Sequence, residues 1–206
     1  ALDFLIANSG NRRNLEVDFF GGEPLMNWQV VKDLVAYGRE QEKIHNKNFR
    51  FTLTTNGVLL NDEVQEFVNK EMSNVVLSID GRKEVHDYMR PFRNGRGSYD
   101  LVLPKFEKLA ESRNQEKYYV RGTFTRNNKD FSNDVLHLAD LGFKQISVEP
   151  VVGSDEEEYA LREEDLPEIF AEYDKLAAEM VKRYHTDKEF NFFHFMLDLT
   201  GGPCVA

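Results

Sequence analysis

Short β-rich runs alternate with segments of helical periodicity along this chain, and this alternation constrains its fold more than any other feature. Runs rich in β-branched and aromatic residues predict strands at 15–20, 50–54, 74–79, 118–125 and 145–151. Helices are predicted to begin after Asn27, Asn61 and Ser98, at Ser132 or Asn133, and at Pro167. Repeated strand–helix units with right-handed crossovers build a parallel sheet, either an open doubly wound sheet or part of a barrel. The chain is therefore predicted to be an α/β protein that binds ligands at the carboxyl ends of its strands.

Composition narrows the class of protein. Hydrophobic residues make up 41% of the 206 residues, which is enough for one sizeable core. The chain carries 26 Lys and Arg against 36 Asp and Glu, a net charge of -10. This balance disfavours nucleic acid as a partner, because phosphate binding needs a cationic surface. No run approaches the roughly 20 apolar residues of a membrane-spanning helix, so no membrane partner is expected.

The single cysteine and the two chain ends add further expectations. Cys204 is the only cysteine, so no internal disulfide can form and a reduced, cytoplasmic setting is expected. No basic region followed by an apolar one indicates a signal peptide. The chain begins at Ala1 within an apolar-periodic stretch and ends in the sequence GGPCVA. We expect both ends to be cuts within a longer polypeptide.

The first predicted strand runs directly into Gly21, Gly22, Glu23 and Pro24. Two glycines let the backbone take unusual dihedral angles and approach a ligand closely, and Pro24 removes one backbone donor. With its carbonyls and the Glu23 carboxylate, the turn suits a cation such as an ammonium group rather than a phosphate. The alternative is a tight turn with a surface glutamate and no ligand.

Polar residues also end the next two predicted strands. The second ends in the sequence TTNG, which includes Asn56. Ser78 and Asp80 are two residues apart at the end of the third, so on a strand they share a face. A hydroxyl beside a carboxylate can bind a vicinal diol such as ribose. The alternative is an Asx turn, in which Asp80 bonds its own backbone.

An arginine lies in the middle of the fourth predicted strand. Arg121 stands in an otherwise apolar layout and needs a partner, because an unpaired buried charge is unfavourable. A ligand carboxylate would pair with it in bidentate geometry. An internal carboxylate such as Glu149, near the end of the fifth strand, would do so equally well. Together the strand ends offer sites for an ammonium, a diol and a carboxylate, which are the three polar groups of S-adenosylmethionine.

These motifs resemble those of the radical SAM superfamily, in its peptide-modifying branch with a C-terminal cysteine-rich (SPASM) domain. The likeness lies in GGEP at 21–24, TTNG at 54–57 and SIDG at 78–81. The segment HDYMRPFRNGRGSYD at 86–100 is similar to one found in sulfatase maturases and ribosomal-peptide maturases. Within this branch the chain resembles the SCIFF maturases, which form thioether cross-links in a small Cys-rich peptide. The resemblance implies a partial TIM-like parallel (β/α) barrel of the radical SAM type that lacks its first strand.

The resemblance also implies roles for individual residues. The methionine amino group would lie at Gly21, Gly22, Glu23 and Pro24, the ribose near Ser78 and Asp80, the carboxylate near Arg121 and the adenine near Val151, with Asn56 among the cofactor-binding residues. A barrel domain would span 1–199 and a cysteine-rich region would start at 200–206. Cys204 would be the first cluster ligand of that region, although a lone cysteine is equally well a small buried hydrophobe.

One departure from the family is large. The CxxxCxxC motif, whose thiolates hold the 4Fe–4S cluster, is missing, because no cysteine precedes Cys204. The resemblance implies S-adenosylmethionine and 4Fe–4S clusters as cofactors of a longer parent protein. Its partners would be a peptide substrate and an electron donor, and its reaction would be reductive cleavage of S-adenosylmethionine followed by hydrogen abstraction. This piece alone is expected to be inactive.

Two alternative functions stay open. One is sulfatase-maturase-type oxidation of a Cys or Ser side chain, which shares the same barrel motifs. The other is a non-catalytic α/β module that binds a ligand or a peptide. An NAD-dependent enzyme is disfavoured, because Gly21-Gly22 does not form a GxGxxG fingerprint.

Overall fold

In the part of the chain that the structure describes, six parallel strands form one sheet and lie side by side in the order in which they occur in the chain. The computed structural model describes residues 1–154 and 156–196. The strands are β1 (Asn14–Phe19), β2 (Asn48–Thr55), β3 (Asn74–Ser78), β4 (Tyr118–Phe124), β5 (Gln145–Pro150) and β6 (Asn191–Phe192). A doubly wound sheet reverses its strand order, whereas a barrel winds in one direction. The sequential order therefore confirms the partial (β/α) barrel.

Helices connect and flank these strands. They are α1 (Leu2–Asn8), α2 (Trp28–His45), α3 (Asp62–Glu71), α4 (Lys83–Met89), α5 (Tyr99–Ser112), α6 (Phe131–Asp140) and α7 (Leu166–Arg183). Several begin as the sequence predicts: the Asn61 side chain accepts a hydrogen bond from the Val64 N–H and caps α3. Pro167 lies in the first turn of α7, where its missing N–H leaves no helical bond unmade.

One face of the sheet packs against the helices and forms the core. In β2, Phe49, Phe51 and Leu53 alternate with more exposed residues and are almost wholly buried. Phe124 of β4 stacks on Phe131 of α6, with ring centroids 4.3 Å apart. The other face carries mostly polar side chains, such as Glu16, Arg50, Tyr119, Arg121 and Glu149. This polar face lines the inside of the partial barrel.

The structure differs from the sequence prediction in a few elements. Helices α1 and α4 and strand β6 were not predicted, because segments of 7, 7 and 2 residues are too short to be assigned from their pattern, although α1 coincides with the apolar-periodic stretch at the start of the chain. Helix α6 begins at Phe131 rather than at Ser132 or Asn133. Neither polar side chain caps it: the Ser132 hydroxyl donates to Glu172 of α7 and the Asn133 amide to Asp130.

Two further expectations concern the cysteine-rich region and membrane-spanning helices. The cysteine-rich region predicted at 200–206 lies outside the described residues, so the predicted domain division stays a prediction. Within 1–154 and 156–196, no helix combines the length and the apolar character that a membrane crossing needs.

Gly122 lets β4 approach the chain segment that leaves β3. A Cβ atom on Gly122 would lie 2.7 Å from the Ile79 carbonyl oxygen and 2.9 Å from the Asp80 Cα. Because both neighbours are backbone atoms, neither can rotate away. We predict that Gly122→Ala lowers the free energy of unfolding by about 1–3 kcal/mol, measured by urea denaturation. Gly153→Ala is the matched control, since its Cβ would meet no atom closer than 3.5 Å. A Gly122→Ala protein as stable as this control would contradict the prediction.

Candidate functional site

A cavity of about 400 Å³ opens at the carboxyl ends of β1 to β4. Its lining includes five residues that the sequence assigns to a ligand site, namely Gly21, Gly22, Asn56, Ser78 and Arg121. The other lining residues are Phe20, Thr54, Thr55, Arg90 and Thr123. Barrels of this kind bind ligands at the carboxyl edge of the sheet. The cavity is therefore the candidate functional site.

Gly21 and Gly22 form one wall of the cavity. Their φ angles are 92° and 55°, values that glycine adopts readily and other residues rarely do. A Cβ atom on either glycine would meet no other atom within 4 Å. The turn thus leaves room beside its backbone, so a ligand in the cavity can approach the main chain closely.

Glu23 holds this turn against the end of β2. Its carboxylate accepts hydrogen bonds from the Leu25 N–H at 3.1 Å, the Thr55 hydroxyl at 2.8 Å and the Asn56 N–H at 2.7 Å. Pro24 follows it as the first residue of the 3-10 turn Pro24–Asn27. Glu23 is not among the lining residues. Its carboxylate therefore stabilises the turn and does not face the cavity, whereas the sequence had suggested that it would contact a ligand.

Asp80 also occupies a different place from the one expected. Its side chain is 2% exposed and forms a bidentate ion pair with Arg90, at 2.6 Å to Nε and 3.0 Å to Nη2. The Thr123 N–H donates to the same carboxylate at 3.1 Å. Because β3 ends at Ser78, strand alternation stops before Asp80, and the two side chains do not form the open diol site that the sequence predicted. Ser78 and Arg90 line the cavity, whereas Asp80 is not among the lining residues and contacts Arg90 instead.

A chain of hydrogen bonds holds both partners of this ion pair. The Asp80 N–H donates to His86 Nδ1 at 3.3 Å, His86 Nε2 lies 3.0 Å from the Ser98 hydroxyl, and that hydroxyl donates to the Arg90 carbonyl at 2.6 Å. Because Nδ1 accepts, the neutral ring carries its proton on Nε2 and donates it to Ser98. Burial, which outweighs the attraction of the nearby Asp80, lowers the pKa of His86 and favours this neutral form.

Arg90 is a lining residue that the sequence did not identify as such. It lies in the segment 86–100, which the family resemblance singled out without a role for this residue. The feature that reveals its importance is the ion pair with Asp80, which lies ten residues earlier in the chain, before α4. Neither helical nor strand spacing can show such a contact.

Arg121 projects from the inner face of β4 beside its register partner Ser78. Its side chain is exposed rather than buried, because the inner face is open at this edge, so it needs no internal partner. Within the described parts of the chain it makes no ion pair. Glu149, the internal carboxylate considered for it, accepts hydrogen bonds from Ser147 at 2.5 Å and from His194 at 2.8 Å instead.

The charges around the cavity favour a particular kind of ligand. Its described lining holds two guanidinium groups, of Arg90 and Arg121, and no carboxylate. Guanidinium groups bind carboxylates strongly, and the carbonyls of the Gly21-Gly22 turn suit an ammonium group. The arrangement is therefore suited to a zwitterion, such as the amino-acid end of a larger molecule.

Two assigned residues lie away from this cavity or beyond the structure. Val151 follows β5, donates its N–H to the Phe124 carbonyl at 2.9 Å and is not among the lining residues. Cys204 lies outside the described residues. In residues 1–154 and 156–196, no group of three or more His, Cys, Asp and Glu side chains could hold a metal ion.

Comparison with known proteins identifies the family. Residues 6–130 match the model of the Radical SAM superfamily. Because this match covers more than half of the chain, the chain belongs to the radical SAM superfamily, as the strand-end motifs implied. The superfamily implies S-adenosylmethionine and a 4Fe–4S cluster as cofactors.

Individual relatives share parts of this chain. The radical SAM cyclopropyl synthase TigE of Paramaledivibacter caminithermalis is 26% identical over 130 residues, which are 63% of this chain and 26% of that protein. The cysteine-type anaerobic sulfatase-maturating enzyme of Clostridium novyi is 28% identical over 98 residues, 47% of this chain and 26% of that protein. The solved structure of native anSMEcpe with bound AdoMet and Kp18Cys peptide superimposes with a TM-score of 0.77 at 19% identity. That match covers 91% of this chain and 52% of the other. The chain thus spans about a quarter of the length of these curated relatives.

The two cofactors that the family implies fit the described residues differently. The open glycine turn and the exposed Arg121 fit the amino-acid end of S-adenosylmethionine, and the Ser78 hydroxyl fits its ribose. The cluster does not fit, because it needs three thiolates and the described residues contain no cysteine.

The two lining arginines should differ in their effect on stability. We predict that Arg90→Ala lowers the free energy of unfolding by on the order of 3 kcal/mol, because it leaves the buried Asp80 carboxylate unpaired. Arg121→Ala should change it by less than about 0.5 kcal/mol, since this exposed side chain has no such partner. Urea denaturation of both variants measures the difference. If both variants lost a similar amount of unfolding free energy, this would contradict the conclusion that Arg90, and not Arg121, is paired with a buried carboxylate.

The buried His86 should make stability depend on pH. An unfolded histidine has a pKa of about 6.5, and burial lowers the pKa of His86 in the folded protein. The unfolded state therefore binds the proton first, and stability should fall as the pH drops below about 6.5. His86→Asn removes this titration and should flatten the slope of unfolding free energy between about pH 7.5 and 5.5. Urea denaturation across this range measures the slope, and identical slopes for both proteins would overturn the prediction.

Proposed function

We propose that these residues form the S-adenosylmethionine-binding core of a radical SAM enzyme that modifies a ribosomally made peptide. The observation that carries this proposal is the exposed Arg121 guanidinium, which stands beside Ser78 in a cavity with no carboxylate in its described lining. A cationic group left open in a cavity favours a ligand carboxylate.

In this proposal the cofactor lies across the carboxyl ends of the strands. Its carboxylate pairs with Arg121, its ammonium group contacts the carbonyls of the Gly21-Gly22 turn, and Ser78 and Asn56 offer polar groups to the ribose. Val151 and the neighbouring Val152, which is 95% exposed, supply apolar contacts for the adenine. Asp80 acts indirectly, by holding Arg90 in the wall of the cavity.

The contribution of this chain is positioning rather than proton transfer. In the whole enzyme, S-adenosylmethionine would supply a radical for hydrogen abstraction, and the 4Fe–4S cluster that would reduce it needs thiolates that the described residues do not contain. The strand-end residues hold the methionine end in one orientation and displace water from it. The parent enzyme would also need an electron donor.

A peptide substrate with thioether formation is the preferred form of the reaction. The segment 86–100 and the order of the strand-end motifs support the peptide-modifying branch. The match to anSMEcpe bears on the fold alone, although that protein's structure contains a bound peptide. Under this proposal Cys204 is the first cluster ligand of a SPASM region.

Oxidation of a Cys or Ser side chain is the second candidate. The observation that favours it is the 28% identity over 98 residues to a cysteine-type anaerobic sulfatase-maturating enzyme. Sequencing the gene on both sides of these 206 residues tests the enzyme proposal. A CxxxCxxC motif upstream and further cysteines downstream are the expected result. Their absence from the whole reading frame would favour a non-catalytic binding module.

Binding of S-adenosylmethionine to the 206-residue chain tests the cofactor site directly. We predict weak binding by isothermal titration calorimetry, reduced about tenfold or more by Arg121→Ala, since a hydrogen bond to a charged group contributes about 1.5–3 kcal/mol. Arg50→Ala is the matched control, because Arg50 lies on the same inner face but pairs with Glu16 away from the cavity. Equal affinities of the Arg121→Ala and Arg50→Ala proteins would contradict the proposed carboxylate site.

A further inference from the structure

A hydrogen-bonded chain of three titratable side chains reaches from the helix layer to the inner face of the barrel. The Tyr173 hydroxyl of α7 lies 2.7 Å from His194 Nδ1, and His194 Nε2 lies 2.8 Å from Glu149 Oε2. The other oxygen of Glu149 accepts from the Ser147 hydroxyl at 2.5 Å. His194 lies in the 3-10 turn Phe193–Phe195 that follows β6, and from there it bridges α7 and β5 at the edge of the sheet.

The contacts fix where the protons lie. Burial alone would raise the pKa of Glu149, but the hydrogen bonds from Ser147 and His194 and the charge of Arg121 outweigh it and lower the pKa. The carboxylate is therefore an acceptor only, and His194 Nε2 donates to it. Burial, aided by the charge of Glu149, raises the pKa of Tyr173, so its hydroxyl keeps its proton and donates it to Nδ1 when the imidazole ring is neutral.

Glu149 is held close to Arg121 but not against it. Arg121 lies opposite Ser147 in the β4–β5 register, and Glu149 is two residues further along the same face of β5. The two opposite charges therefore leave the same surface on neighbouring strands. Nevertheless both oxygens of Glu149 are taken by Ser147 and His194, and no ion pair with Arg121 forms.

We propose that His194, oriented by Tyr173, is a positioning residue that holds Glu149 away from Arg121 and so keeps Arg121 open for the ligand carboxylate. The inference rests on the proposed function for its consequence in binding, but not for the contact itself. Without His194, Glu149 loses one of its two donors, and Arg121, whose charge already acts on it, lies on the same face of the neighbouring strand. The internal pair would then compete with the ligand.

The contact can be tested without any ligand. A double-mutant cycle with Arg121→Ala and Glu149→Gln is measured by urea denaturation, first in the wild-type protein and then with His194→Ala. We expect little coupling in the wild type, and with His194→Ala a coupling of about threefold or more in the folding equilibrium constant. Equal coupling in both backgrounds would overturn the proposal, whatever the protein binds.

The consequence for binding is tested with a matched pair of ligands. S-adenosylmethionine carries the carboxylate, and 5′-methylthioadenosine lacks the amino-acid end. We expect His194→Ala to lower the affinity for S-adenosylmethionine about threefold to fivefold, which corresponds to the free energy of a partly exposed ion pair. The affinity for 5′-methylthioadenosine should change by no more than about twofold. Adding Glu149→Gln should restore the affinity, because the competing charge is gone. His194→Gln, which can keep a donor near Glu149, should behave like the wild type.

The outcomes separate this inference from the proposed function. Equal weakening of both ligands by His194→Ala, or no rescue by Glu149→Gln, would mean that His194 only supports the local structure, and would overturn the inference. If S-adenosylmethionine does not respond to Arg121→Ala, the cofactor site fails, while the coupling measured by denaturation still decides whether His194 holds Glu149.

Discussion

The buried ion pair between Asp80 and Arg90 is the interaction on which the cavity depends. Asp80 lies just beyond β3, and its carboxylate also accepts the Thr123 N–H of β4, so the pair ties two strands to the segment after α4. A carboxylate that is 2% exposed is tolerated only with such a full set of donors. The hydrogen bonds through His86 and Ser98 then fix the backbone on either side of it.

This arrangement separates two arginines that the sequence alone makes look alike. Arg90 is bound to a buried partner and forms part of the wall, whereas Arg121 is left open at the same cavity. Arg90 is fixed by its own partner, so Arg121 is the lining guanidinium whose charge stays available to an anion. Such preorganisation lowers the entropic cost of binding.

The α/β class and most of the strands and helices could be predicted from local patterns, whereas the choice of a partial barrel over a doubly wound sheet came from the family resemblance. Alternating burial in β2 and the cap at Asn61 need no knowledge of distant contacts. The site was predictable only in part. The glycine turn, Ser78 and Arg121 line one cavity as expected, because strand ends of a barrel meet at one edge, and their binding roles stay a prediction. Asp80 does not lie beside Ser78 as expected, because β3 ends at Ser78, one residue earlier than predicted. Arg90 was missed because its importance comes from a tertiary contact.

The single winding direction of the sheet has a consequence for handling the protein. Within the part of the chain that the structure describes, β1 pairs only with β2, so alternate residues of this six-residue strand direct their N–H and C=O groups away from the sheet. An exposed edge of this length is a template on which a second chain can add a strand. At the opposite edge, β6 has only two residues, which is too short to pair stably with a strand of another chain. Self-association of the isolated chain would therefore start at β1, and dilute solutions suit its study best.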